Sequence, residues 1–125
     1  MSTLTVTNIK ATGETASRAV SGVAAAWVNF NGTGTIAIRD SVNVASLTDQ
    51  GTARYSINLS SSMSNASYSI NALSGGTDND ANTSLEATSN HTMTTSEYRL
   101  VLRQSSGNTL EDMSHVFSSI HGDLA

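Results

Sequence analysis

Three histidines, His91, His115 and His121, are the first residues to ask about chemistry. Nucleophilic catalysis needs a base of this kind held against a hydroxyl or thiol and oriented by an acid. Serine is so abundant here that a Ser-His-Asp set drawn on paper means little. The chain has no Gly-x-Ser-x-Gly elbow and no His-Glu-x-x-His motif. It has no cysteine, which removes disulfides, thiolate chemistry and sulfur-ligated metals together. Asp78-Asn79-Asp80-Ala81-Asn82 alternates oxygen ligands, but a helical calcium loop also needs Gly at its sixth place and Glu at its twelfth. Those places hold Thr83 and Ser89, so the run reads as an exposed turn. Glycoside cleavage needs two carboxyls facing each other across a cleft, about 5 or 6.5–9.5 Å apart. The neighbours Glu111-Asp112 and the pair Asp78/Asp80 do not supply that from sequence. No catalytic, metal-ligating or cofactor-binding residue is assigned, and the expectation is a protein that is not an enzyme and carries no cofactor. His115 shares a period-2 run with Met113 and Phe117 and reads as a packed or interface side chain.

The composition narrows the function classes further. Charged residues make up 13% of the 125, against about 25% in an average soluble domain. Ser and Thr together supply 37 residues and Asn another 11, so polarity is carried by hydroxyls and amides. The net charge of −4, with no basic patch, disfavours nucleic-acid binding. No apolar run approaches the roughly 18 residues that a helical membrane span needs, and no membrane insertion is expected. The N-terminus lacks a basic start followed by an apolar stretch, so synthesis in a cytoplasm is expected.

The elements that must position any site are short. Leu4 and Val6 alternate with Thr3, Thr5 and Thr7, the pattern of a strand over Met1 to Ile9 with one apolar face. Across Ala11 to Ala26, Ala16, Val20, Val23 and Trp27 recur at spacings of 4, 3 and 4, which predicts a short helix, lying on its own domain or joining identical chains as a brief coiled coil. Trp27 then reads as a packing anchor at the helix-to-strand junction. Beyond it every signal is β. Asn31-Gly32-Thr33-Gly34 is a tight turn, with Asn-Gly placed to supply two positive-φ residues. Ile36, Ile38, Val42 and Val44 alternate, with a kink or bulge expected near Arg39-Asp40-Ser41. Thr48 to Thr52 turns the chain, and Tyr55, Ile57 and Leu59 form the next strand face. Tyr68, Ile70 and Ala72 form another, then Tyr98, Leu100 and Leu102, then Met113 to Ile120. Thr83 to Thr88 and His91 to Thr94 are weaker strand candidates, and Ser74 to Asn82 reads as a loop. Short strands separated by turns predict an antiparallel β-sandwich or small barrel.

The run Ala26-Trp27-Val28-Asn29-Phe30-Asn31-Gly32-Thr33-Gly34-Thr35, followed by Ile36-Ala37-Ile38-Arg39, Ser41 to Ser46 and Thr48-Asp49-Gln50-Gly51-Thr52, resembles a module of tailed-bacteriophage tail fibre proteins. In those proteins a Trp-Val-Asn-Phe-Asn-Gly-Thr-Gly stretch opens a C-terminal β-rich domain. The strong part of the likeness covers about Ser17 to Tyr68, and Val116 to Gly122 is similar to the strand that closes such fibres. Gln50 and Ala53 depart from it, standing where Asn and a second Gly are usual, and Gly75 to Asn90 matches nothing in it.

The resemblance implies a mainly β structural virion protein, a homotrimer in the phage tail that contributes to host-surface attachment. Residues 1–26 are then an attachment and oligomerisation arm, with Leu4, Val6, Ala16, Val20, Val23 and Trp27 as its contact residues, docking onto another tail protein. Residues 27–125 are the head. Thr77, Asp78, Asn79, Asp80, Asn82 and Asn108 are the candidate receptor-facing loop residues, and hydroxyl and amide side chains suit a saccharide receptor. The alternatives are a capsid decoration or head-fibre protein, and a cellular carbohydrate-binding or adhesin module.

Overall fold

A computed structural model describes all residues except 10–11, 14–17, 77–82, 86–92, 105–106 and 108. The chain is mainly β. Its elements are β1 (Asn8–Ile9), β2 (Arg18–Ala19), a 3₁₀ turn (Val20–Gly22), β3 (Ala24–Asn31), β4 (Ala37–Val42), β5 (Val44–Asp49), β6 (Arg54–Leu59), β7 (Ser69–Gly75), β8 (Thr83–Leu85), β9 (Glu97–Gln104) and β10 (His115–His121). Eight of these strands form two four-stranded antiparallel sheets, ordered β4-β3-β10-β7 and β5-β6-β9-β8, while β1 pairs with β2. Neither sheet closes on itself, so the sandwich expectation holds and the barrel alternative does not.

Period-2 patterning explains the packing. Ala26, Val28 and Phe30 of β3, Tyr55, Ile57 and Leu59 of β6, Tyr98, Leu100 and Leu102 of β9, and Val116 and Ile120 of β10 all point between the sheets. Phe30 meets Tyr55 edge-on at 5.2 Å, and Tyr68 meets Tyr98 at 6.4 Å. In the same layer the hydroxyls of Tyr98 and Ser118 are 2.8 Å apart, so each sheet satisfies a buried polar atom of the other.

The expected helix over Ala11 to Ala26 is not formed among the described residues. Arg18–Ala19 is a strand, Val20–Gly22 is a single 3₁₀ turn, and β3 begins at Ala24. The Val20, Val23, Trp27 spacing competed with the alternation of Ala26, Val28 and Phe30, and the strand won because it pairs on both sides, with β4 and β10. A lone helix this short lacks enough tertiary contact to pay for its nucleation. The N-terminal strand is also shorter than expected. Only Asn8–Ile9 pairs, and residues 1–6 form no strand. Of the two weaker candidates, Thr83–Leu85 is a strand, whereas Met93 and Thr94 are not and His91 lies outside the described residues.

The bulge falls where the sequence placed it. Asn29 pairs with Asp40 and Phe30 with Ile38, leaving Arg39 as the extra residue. Its guanidinium donates to Phe30 O at 2.9 Å and Ser114 O at 2.6 Å, tying the bulge to the approach of β10. The Asn31 to Gly34 turn is built differently from the expectation. Positive φ occurs at Gly34, not at Asn31 or Gly32. Asn31 instead holds the turn with its side chain, its Nδ2 donating to Thr33 O and its Oδ1 accepting from the Thr33 hydroxyl.

Candidate functional site

The two sheets present different outer faces. On β5-β6-β9 the outward side chains are polar and bonded to one another, apart from Val101, which is buried opposite Arg54. Arg99 Nε donates to Ser56 Oγ at 3.0 Å and lies 3.3 Å from Glu97 Oε1. Gln50 reaches the same serine at 3.2 Å, and Asn58 bonds Ser46 Oγ and Thr48 Oγ1, both at 3.1 Å. Arg54 is exposed on the same face. This is how a sheet face in contact with water normally looks.

The outer face of β4-β3-β10-β7 is the candidate site. Register places its side chains in rows: Val42, Trp27, Ser119 and Asn71 in one, Asp40, Asn29, Phe117 and Leu73 in the next. Leu73 is 69% exposed, Val42 48% and Phe117 40%, and Trp27 is half-buried. A groove of about 450 Å³ runs between Trp27, Asn29, Asn71, Leu73 and Phe117. His115 stacks on Phe117 at 6.4 Å, and its Nδ1 lies 3.0 Å from the Ser114 hydroxyl. Asp40 is the one formal charge in those rows. A face carrying an indole, a phenyl ring, a leucine and a valine amid two amides, with Asp40 at its β4 edge, is suited to contact with another surface.

The sequence-derived site residues fall into four groups. Trp27 is half-buried on this face, within β3, and the helix whose junction it was expected to anchor is not formed among the described residues. Val20 and Val23 are exposed beside Ala24, Ala25 and Leu124 around a second hollow of about 240 Å³ at the foot of the arm. Leu4 and Val6 are exposed in the segment before β1. These residues do not form one helical stripe. Ala16, Thr77, Asp78, Asn79, Asp80, Asn82 and Asn108 lie outside the described residues. His115 is exposed, which corrects the packed reading and leaves the interface one.

Leu73, Phe117, Val42, Asn71 and Ser119 were not singled out from the sequence. A signal for two of them existed. Val116-Phe117 and Ala72-Leu73 put apolar side chains on both faces of a strand, the mark of a sheet covered on both sides.

Glu111 and Asp112 do not act as a pair. Asp112 Oδ1 accepts from the Ala53 N–H at 2.6 Å and lies 2.8 Å from the Tyr55 hydroxyl, which also lies 2.7 Å from Gly32 O. Burial first, then the Asp112 carboxylate, pushes the Tyr55 hydroxyl far above its ordinary range. The carboxylate is a structural pin. Among the described residues no group of three His, Asp or Glu is placed to hold a metal ion. No family model, curated protein or solved structure matches the chain.

Proposed function

We propose that the protein is a structural component of a bacteriophage tail fibre, a homotrimer that docks to another tail protein through its N-terminal arm and contributes to attachment at the host surface. The observation that carries this reading is the contrast between the outer faces. One is laced with charge and hydroxyl bonds, while the other leaves Val42, Leu73 and Phe117 open to water beside the half-buried Trp27. Apolar side chains aligned across four strands gain about 25 cal/mol per Å² when another copy covers them. Association in threes also multiplies weak receptor contacts by raising the effective concentration of the second and third sites. The role is mechanical and adhesive, without a reaction and without a cofactor.

Phe117→Ser together with Leu73→Ser tests it. Both side chains point away from the core, so the variant should keep the wild-type far-ultraviolet spectrum while its mass by multi-angle scattering falls from three chains to one. Mass spectrometry of purified particles should find the wild-type chain in the tail. A wild-type monomer at high concentration, or particles without the polypeptide, would overturn the proposal.

A second reading rests on the groove itself. Asn29, Asn71 and Ser119 beside Trp27 and Phe117 are also the chemistry that binds a neutral saccharide, with rings against C–H faces and amides against hydroxyls. In a cellular carbohydrate-binding module this face would stay free. A monomer whose tryptophan fluorescence shifts on titration with host polysaccharide would favour it, and a trimer with no shift would remove it.

A further inference from the structure

We propose that Asn31-Gly32 is a deamidation site that the fold holds shut, so that Asn31 converts to aspartate or isoaspartate only when the turn after β3 opens. Every atom of the lock belongs to one chain, so the inference stands apart from the oligomer reading above.

The sequence holds a single Asn-Gly pair, at 31 and 32. In an unfolded chain such a pair is the quickest of the Asn-X pairs to react, because glycine has no side chain to shield its nitrogen. The Gly32 nitrogen gives its proton to water and bonds to Cγ of Asn31. The bond between Cγ and Nδ2 breaks, and Nδ2 takes a proton and leaves as ammonia. The product is a five-membered succinimide. Water then opens the ring at one of its two carbonyls, leaving aspartate or isoaspartate. The first step needs an unengaged Gly32 N–H and a carboxamide free to swing against it.

The fold withholds both. Gly32 N–H donates to Met113 O at 3.0 Å, so the attacking nitrogen is already engaged. Gly32 is buried, and its carbonyl lies 2.7 Å from the Tyr55 hydroxyl. The Asn31 carboxamide is clamped at both ends. Its Nδ2 donates to Thr33 O at 2.7 Å, with Thr35 O at 3.5 Å, and its Oδ1 accepts from the Thr33 hydroxyl at 2.8 Å. Two carbonyl oxygens at one end, and the Thr33 N–H 3.4 Å from the other, fix which end is the nitrogen. Asn31 is also the last residue of β3, where extended backbone turns the next nitrogen away from the residue's own side chain. Arg39 fastens the assembly, donating to Phe30 O at 2.9 Å and Ser114 O at 2.6 Å. The turn therefore opens only by parting from the approach to β10. Conversion is also one-way. Aspartate at position 31 would set a carboxylate oxygen against Thr33 O, two acceptors with no proton between them.

Ageing the full chain at mildly alkaline pH, natively and in concentrated urea, tests the lock. The peptide holding Asn31 is followed by mass and by enzymatic detection of isoaspartate. Conversion at Asn31 should run about a hundredfold slower in the native protein, because a reaction confined to the opened form is slowed by the rarity of opening. Thr33→Val keeps the branched shape and removes the hydroxyl bond. It should speed native conversion by about threefold or more and leave the rate in urea unchanged. Thr33→Ser keeps a hydroxyl and should stay slow. Asn31→Asp, the product made directly, should unfold at a lower urea concentration than the wild type. A native rate within about threefold of the rate in urea overturns the proposal. So does a folded Thr33→Val that ages no faster than the wild type, or an Asn31→Asp variant as stable as the wild type.

Discussion

One carboxylate oxygen gathers three distant parts of the chain. Asp112 Oδ1 meets the Ala53 N–H and the Tyr55 hydroxyl, and that hydroxyl also meets Gly32 O. Gly32 is required here for closeness and not for its backbone angle. A Cβ on it would stand 2.7 Å from the Tyr55 oxygen and 2.8 Å from Met113 O. Backbone cannot yield as the end of a side chain can, and Gly32 N–H also donates to Met113 O at 3.0 Å. Gly32→Ala should therefore cost about 1–3 kcal/mol, the usual range for overpacking, read as a lower midpoint in urea. The Asn-Gly pair was legible as a turn. The reason for the glycine was not, because Met113 lies eighty-one residues further along the chain. Ala53 shows the reverse case. It holds φ of 58°, a conformation that favours glycine, at the position where the phage-fibre resemblance expects Gly.

Among the elements, the step from β4 to β5 decides the architecture, since it carries the chain from one sheet to the other across a single residue, Asn43. That residue has φ of 57°. Its Nδ2 donates to Ala25 O at 3.2 Å and Ser61 O at 3.1 Å, while its Oδ1 accepts from Ser61 N–H at 2.7 Å. Asn tolerates this backbone region better than other residues with a Cβ, and its amide replaces the ladder bonds the corner interrupts. Asn43→Ala loses both advantages and should destabilise by about 2–4 kcal/mol. Asn43→Gly keeps the angle and should lose about half as much, a difference that chemical denaturation resolves. The alternation of Ile36, Ile38, Val42 and Val44 marked β structure through this stretch, and the bulge at Arg39 was anticipated. The corner was not, because period 2 continues on either side of it. The helix expectation failed for a related reason. Small residues such as Ala24, Ala25 and Ala26 fit either period, and only the neighbouring strands chose between them.

The whole molecule depends on tyrosines whose hydroxyls are protonated and bonded inside the fold. Burial, aided by Glu97 nearby, raises Tyr68 to about 12, and burial raises Tyr98 to about 12 against the ordinary value near 10. The folded state holds these protons more tightly than the unfolded state does, so their contribution is complete below about pH 10 and is lost as pH rises through about 12. Stability measured by urea titration should be flat from neutrality to about pH 10 and then fall, and Tyr98→Phe should make that fall shallower. At this scale the sandwich closes from two inner faces that any reader of the alternation at Tyr55, Tyr98 and Ile70 could find. Composition and period by themselves established a charge-poor, turn-rich antiparallel β chain, because burial on one face writes itself into every second residue. Tertiary structure alone decided which outer face stays apolar. That property comes from side chains on four strands far apart in the chain, aligned only once register is set.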